Sequence, residues 1–329
     1  MLSVEPLQED EIQALIALIE LSDPIETQNN NFYNFFPGSL PAAQTYFRRF
    51  SLDLSSALET LAHKGLVCRE KDSCLLTPAG QNTARAIRNA RPPIWYWYKD
   101  FYAAVEKSKA YSLYCQRVFG KDLGQHGFSD MQQIEQMLAL LKPRKTSHLL
   151  DVGCGNGKVA EFISDLSGAQ VTGIDYIPEA IEQAARRTAK KKSRLHFILC
   201  HIDNLEQLAE TFDFILSIDS VFFGQDLSTT LAKLKTRLAP GGQMAIFCDE
   251  DLSTGAADNR LVYDCHDLSE AHLAHLQLKH AVASELKLAF EAEGNTFIWE
   301  NLVQESIADP APFNPLAPRV RRYLYHVTT

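Results

Sequence analysis

The residues best placed to do chemistry lie in "HLLDVGCGNGKVAEFISD", His148 to Asp165, where a short apolar run reaches Asp151 and is followed by Gly153, Gly155 and Gly157. Glycines at that spacing let the backbone turn sharply and approach a ligand, and the amides opening the next helix have no intrahelical partner. A polar group docks at such a turn. About twenty residues on, "AQVTGIDYI" gives a second apolar run ending in Asp175, where a carboxylate accepts hydrogen bonds from both hydroxyls of a ribose. The pair predicts a nucleoside-containing ligand. The turn Gly153-Cys154-Gly155-Asn156-Gly157 reads G-x-G-x-G, whereas dinucleotide sites read G-x-G-x-x-G, so pyrophosphate binding is disfavoured.

The elements that position these residues are legible around them. "HLLDV" suits a buried parallel strand, and "KVAEFISDL" places Val159, Phe162, Ile163 and Leu166 on one side of a helix. With "LDVGCGNG" the sequence resembles the class I S-adenosylmethionine-dependent methyltransferases, whose first strand ends in an acidic residue before G-x-G-x-G. "FDFILSIDSVFF" resembles that family's fourth strand, and "LAKLKTRLAPGGQMAIF" its next helix, Pro-Gly-Gly turn and fifth strand. The likeness covers roughly residues 126–329.

The resemblance implies an α/β fold, a Rossmann-like seven-stranded and mostly parallel sheet, with S-adenosyl-L-methionine as cofactor and S-adenosyl-L-homocysteine as product. It implies that the turn from Gly153 through Cys154, Gly155, Asn156 and Gly157 holds the methionine part, with Asp151 and Ser217 beside it. Asp175 would take the ribose, and Tyr176 with Ile177 the adenine face. The third strand, "LHFILCHIDNL", departs from the family: His201 stands where the acidic residue near the adenine amino group aligns, and Asp203 follows two residues later. His201, Ile202 and Asp203 are all kept as adenine contacts. "KDLGQHGFSD" is similar to the H-G turn that closes the pocket in several small-molecule methyltransferases, which makes His126 a cofactor contact.

Methyl transfer is an in-line displacement, so an enzyme chiefly holds the nucleophile against the methyl and excludes water. Winged-helix O-methyltransferases carry a catalytic His after the fourth strand; here that region is "SVFFGQDLS". It offers Asp219, Phe222 and Phe223 instead, and the fifth strand ends in Cys248-Asp249-Glu250-Asp251. Acid beside aromatic suits a cation. The favoured reading is N-methylation of a small amine, positioned by Asp219, Phe222, Phe223, Asp249 and Tyr263. Alternatives on the same fold are O- or C-methylation and aminopropyl transfer, and outside enzymology a cofactor-sensing DNA-binding regulator.

The 329 residues are 46% hydrophobic, enough for two domains. Residues 1–92 run helix, helix, "ALETLAHKGLV", hairpin, then "LTPAGQNTARAI", an order that resembles winged-helix domains. Their eight Lys and Arg stand against eleven Asp and Glu, so phosphate binding is disfavoured, and the expected roles are a scaffold, dimerisation into a homodimer, or a wall of the substrate site. Residues 93–142, with eight aromatics from Trp95 to Tyr114, read as a helical connector, and 143–329 as the cofactor-binding domain.

A net charge of −9 argues against coating nucleic acid or anionic membrane. The seven cysteines are odd in number and make no CxxC pair, which suggests reduced thiols and a cytoplasmic protein. The N-terminus lacks the pattern of a secretory signal, and no apolar run reaches membrane-spanning length. His272 and His275 share a helix face near Cys265 and His266, yet at no recognised metal spacing, and no metal is expected. The basic run "ARRTAKKKSR", Ala185 to Arg194, reads as a helix end whose cations offset the dipole. "NTFIWENLV" and "RRYLYHVTT" are expected to form a final antiparallel pair.

Overall fold

The structure, a computed structural model, describes residues 6–22, 54–70, 73–91, 93–224, 226–251, 264–295 and 320–328. The chain divides into two compact units, Met1–Tyr98 and Lys99–Thr329.

In the first unit, helix α1 (Glu9–Ser22) turns Ala14, Leu15, Leu18 and Ile19 onto Ala57 and Leu61 of α2 (Leu54–His63). That spacing keeps one stripe of each helix dry. Strands β1 (Val67–Glu70) and β2 (Ser73–Leu76) form the expected hairpin. Helix α3 (Pro78–Ala90) follows, with Pro78 in its first turn and Thr77 as N-cap, its hydroxyl accepting from the Gly80 amide at 3.1 Å. Residues 23–53, which the winged-helix reading also spans, lie outside the described residues.

Helices α4 (Pro93–Val105), α5 (Lys109–Phe119) and α6 (Met131–Leu141) lead into the sheet. Strand β3 (His148–Val152) passes through the glycine turn into α7 (Lys158–Ser167), then come β4 (Gln170–Asp175), α8 (Pro178–Arg187) and β5 (Leu195–Leu199). After β6 (Phe212–Ile218) follow α9 (Leu227–Lys235), β7 (Leu238–Asp251), β8 (Asp264–Asp267), α10 (Ser269–Ala292) and β9 (Val320–Thr328). The spatial order is β5-β4-β3-β6-β7-β9-β8. The first five strands run parallel, and β9 lies antiparallel to both β7 and β8.

Adjacent residues of a strand point to opposite faces, and both faces of this sheet are covered. Leu149, Val171, Leu216, Phe247 and Leu324 pack on one side with Ile134, Met137 and Ile163 of the helices. Leu150, Val152, Ile174, Ile215, Ile246 and Tyr323 pack on the other with Leu205 and Leu234. The sheet is therefore rigid where its parallel strands end, and those ends carry the site.

Two expectations about the tail and the basic run can be set beside the described residues. The partner of β9 at the sheet edge is β8, a four-residue strand ahead of α10, whereas "NTFIWENLV" lies, apart from Asn295, outside the described residues. The basic run ends α8 as expected, but its cations are paired with α7: Arg187 and Lys191 to Glu161 at 2.7 and 2.8 Å, and Arg194 to Asp165 at 3.3 Å.

Candidate functional site

The glycine turn is built by backbone conformations that a side chain resists. Gly153, Gly155 and Gly157 sit at φ of 69°, 53° and 72°, the left-handed region that costs other residues roughly 1–2 kcal/mol. There is also no room. A Cβ on Gly153 would collide with Ser220, on Gly155 with the Tyr102 hydroxyl, and on Gly157 with the Phe197 ring. Replacing Gly157 by alanine is expected to cost about 2–3 kcal/mol from the backbone and the clash together. A thermal melt of that variant checks it; an unchanged midpoint would contradict the packing described.

Asp175, at the end of β4, holds the turn in place. Its Oδ2 accepts from the Gly155 amide at 2.8 Å and its Oδ1 from the Ile177 amide at 2.9 Å. The Tyr176 amide also bonds this carboxylate, which keeps acceptor capacity for a ligand hydroxyl. Burial raises the Asp175 pKa to about 6, against the pull of those amides. Asp151 stands at the end of β3 with 2% of its surface exposed, and among the described residues its Oδ2 has no hydrogen-bond partner. Burial, with Asp175 beside it, raises its pKa to about 7. Burial followed by the same two carboxylates pushes the Cys154 thiol well up, so Cys154 is an uncharged part of the wall.

The segment between α5 and α6 lies over the turn. Asp122 takes an ion pair from Lys158 at 3.1 Å, Gly124 leaves space that Asn156 fills, and Gly127 does the same for Asp219. His126 is half-buried with its ring against Phe101 at 4.9 Å. Tyr111 donates its hydroxyl to the Gln125 carbonyl at 2.5 Å, which fixes that bend.

Beyond Asp175, Ile177 and Ile202 are buried and the Tyr176 and His201 rings meet edge to face at 5.2 Å. The Asp203 amide donates to His201 Nδ1 at 3.2 Å, so the neutral ring carries its proton on Nε2. Burial lowers the His201 pKa, and Asp203 only partly offsets it. The pair thus offers one donor, at Nε2, and one acceptor, the Asp203 carboxylate. Ser217, fully buried near the end of β6, shares a 2.9 Å hydrogen bond with Ser220, whose hydroxyl donates to the Val152 carbonyl at 2.5 Å.

The carboxylates at the ends of the fourth and fifth parallel strands are organised by a residue that sequence reasoning missed. Arg322, on β9 and fully buried, makes a two-pronged contact with Asp219 at 2.7 and 3.0 Å and reaches Asp249 at 3.0 Å. Its remaining donors go to Gln133 at 2.9 Å and Ser129 at 2.6 Å. Such planar, forked pairing is what a guanidinium does better than an ammonium. Burial alone would raise Asp219, but Arg322 outweighs it and holds that carboxyl below its usual range.

Asp219 also adopts φ of 54°, uncommon for a side chain, and accepts from the Phe128 amide at 2.7 Å. Phe222 and Phe223 follow it, their rings 4.8 Å apart. Thus Asp151, the turn, Asp175, Ser217 and Asp219 come together at the carboxyl ends of the parallel strands, where ligands bind in such sheets. Tyr263 lies outside the described residues. The signal that could have found Arg322 was a second arginine inside the apolar alternation of "RRYLYHV".

Residues 149–242 match a family described as methyltransferase domain. That stretch holds the glycine turn, Asp175 and Asp219, so the match falls on the site. The domain is 30% identical over 136 residues to an O-methyltransferase of Pyrenophora dematioidea, covering 40% of this chain and 50% of the relative. It is 31% identical over 121 residues to a malonyl-[acyl-carrier protein] O-methyltransferase of Salmonella typhimurium, covering 37% and 46%. The chain thus spans about half the length of these curated relatives. Among solved structures, phosphoethanolamine N-methyltransferase 2 of Haemonchus contortus, bound to phosphomonomethylethanolamine and S-adenosylhomocysteine, superposes with a TM-score of 0.56 at 16% identity. That superposition covers 70% of this chain and 60% of that one, and it shows the shared fold.

Among the described residues, no helix is long and apolar enough to cross a membrane.

Proposed function

We propose that the chain is an enzyme transferring a methyl group from S-adenosylmethionine to a small molecule. The observation that carries this reading is the buried, unpartnered Oδ2 of Asp151 at the end of a strand whose glycine turn excludes any Cβ. A buried polar atom without a partner is rare in a native interior and asks for a ligand donor. The methionine ammonium of the donor supplies one, and the ribose diol suits the remaining lone pairs of Asp175. Bound there, S-adenosylmethionine brings an electrophilic methyl on a sulfonium. The protein's part is to orient that methyl and keep water away, which the covering segment around His126 and Gly127 supports.

The acceptor is a finer question. The sequence favours an amine because Asp219 and Asp249 could steer a cation. Both carboxylates are engaged by Arg322, and Lys279 is buried nearby with its ammonium 4.8 Å from the Phe128 ring. Two buried cations beside those acids remove the field that would draw an ammonium, so an uncharged acceptor fits better. Incubation with methyl-tritiated S-adenosylmethionine and separate pools of phenols, alcohols and amines tests the reading. Label is expected in the hydroxyl pools; label in none, with purified folded protein, would count against it.

A dependence on pH follows from the two buried acids. In the ligand-free protein Asp151 and Asp175 titrate at about 7 and about 6, above the 3.8 of an ordinary aspartate. Between roughly pH 4 and 7 the folded chain therefore holds more protons than the unfolded one, and the pair's contribution to stability is lost as pH rises. Binding of a cationic donor runs the other way, because it favours the ionised carboxylates. S-adenosylmethionine affinity is expected to rise about tenfold or more from pH 5.5 to 8; a flat profile in titration calorimetry would contradict this.

A further inference from the structure

Strand β5 ends the sheet, with β4 on one side and, among the described residues, no strand on the other. Its attachment to β4 runs through alternate positions: the Arg194 carbonyl accepts from the Val171 amide at 2.7 Å, and the Cys200 amide donates to the Asp175 carbonyl at 2.9 Å. Alternation along the strand therefore turns the backbone groups of Leu195, Phe197 and Leu199 outward. Ile198 and Leu199 are 39% and 52% exposed, two large apolar side chains in succession on an open edge. Natural edges are blunted by lysine, inward charge, proline or a bulge; β5 has no lysine, acid or proline and pairs with β4 in unbroken register.

A groove of about 600 Å³ follows this edge. It is lined by His196 and Ile198 from one face of the strand and by Leu195 and Phe197 from the other, so it wraps the edge and belongs to neither face alone. The sequence through the strand decides what fits there. "KKKSRLHFILCHIDNLE", Lys190 to Glu206, is basic, then apolar, then acidic, and Lys190, Lys192 and Glu206 are exposed. A second copy laid antiparallel sets the basic end of one strand beside the acidic end of the other, whereas a parallel copy sets like against like. The edge is thus complementary to itself in one orientation only.

We propose that two copies of this chain join through β5 about a two-fold axis at Phe197, making one continuous sheet. Phe197 then faces the partner's Phe197 and Leu195 faces the partner's Leu199, each pair exchanging two backbone hydrogen bonds. Leu199 is covered by that cross-strand contact, and on the other face Ile198 comes against the partner's His196. The same patch serves both copies, as a closed two-fold dimer requires. Sequence alone assigns dimerisation to residues 1–92; this interface lies in the other unit, Lys99–Thr329. It adjoins the strand end that carries Asp175, since Cys200, the next residue after β5, bonds the Asp175 carbonyl. The inference does not depend on the methyl-transfer reading.

Sedimentation velocity of the intact chain tests this, over concentrations from about 1 to 100 μM. The parent is expected to pass from monomer to dimer across that range. Ile198→Lys combined with Leu199→Lys installs the residue by which natural edges refuse a second strand, and is expected to weaken the dimer by at least about 30-fold. Lys190→Glu with Lys192→Glu sets acid against acid twice about the axis and is expected to weaken it about tenfold; Glu206→Lys added to that pair should recover most of the loss. All five positions are exposed, and a circular dichroism melt shows that each variant is folded. Hydrogen exchange at the Leu195, Phe197 and Leu199 amides is expected to slow as the parent dimerises and to stay fast in the lysine variant. A parent that is monomeric throughout, its edge left to a strand of some other chain, overturns the proposal. So does a dimer that the folded lysine variant leaves intact, or a charge reversal that Glu206→Lys does not repair.

Discussion

Replacing Asp175 by alanine is expected to weaken S-adenosylmethionine binding by at least about 100-fold. The Asp175 carboxylate offers free lone pairs to a ribose diol, and each hydrogen bond to a charged group contributes roughly 1.5–3 kcal/mol. Losing two of them corresponds to about 3 kcal/mol or more, and about 1.4 kcal/mol is tenfold in affinity. The same change also removes the acceptor for the Gly155 and Ile177 amides, so the turn itself loosens. Asp175→Asn separates the two effects: it keeps the shape but loses the charge, and a loss of about tenfold is expected. Calorimetry at fixed pH gives the constants, and a circular dichroism melt shows whether the chain is folded. Wild-type affinity in a folded Asp175→Ala chain would remove the ribose role.

The second large effect concerns stability. Arg322 pairs with two carboxylates from inside the sheet, and removing one member of a buried, hydrogen-bonded ion group leaves an uncompensated charge. Arg322→Met is expected to destabilise the protein by about 3–5 kcal/mol. The chemistry that causes the loss also predicts its repair: Asp219→Asn in the Arg322→Met background should recover part of the stability. Urea denaturation measures both. An Arg322→Met chain as stable as the parent would mean that Asp219 and Asp249 do not depend on the guanidinium.

The parts of this site that sequence reasoning could reach are the ones built locally. The glycine turn, its flanking strand and helix, and Asp175 lie within one β-α-β unit, where apolar period and glycine spacing carry the information. Thr77 with Pro78 announces a helix start for the same reason. Arg322 and Asp219, by contrast, are brought together by the pairing of β9 with β7, across 103 positions of sequence. Alternation says that Arg321 and Arg322 face opposite sides; only the register says which is inside. Without that partner, the two carboxylates read as bait for an amine.

Strand β8 is hidden for another physical reason. "DCHD" is polar and sits on an edge, so it carries no apolar run, and its backbone pairing with β9 is what makes it a strand. Helical spacing predicts the shared face of His272 and His275, but not its surroundings. They meet Phe128 and Phe119 rather than a third metal-type ligand, contacts set by tertiary packing.

The most direct measurement is isothermal titration of the intact protein with S-adenosylhomocysteine, with NADH as the comparison. The account predicts one site per chain for the first, and no heat beyond dilution for NADH, because the G-x-G-x-G turn disfavours a pyrophosphate. Failure of S-adenosylhomocysteine to bind, or NADH binding in its place, would contradict the claim that the turn around Gly155 and Asp175 is a methyl-donor site.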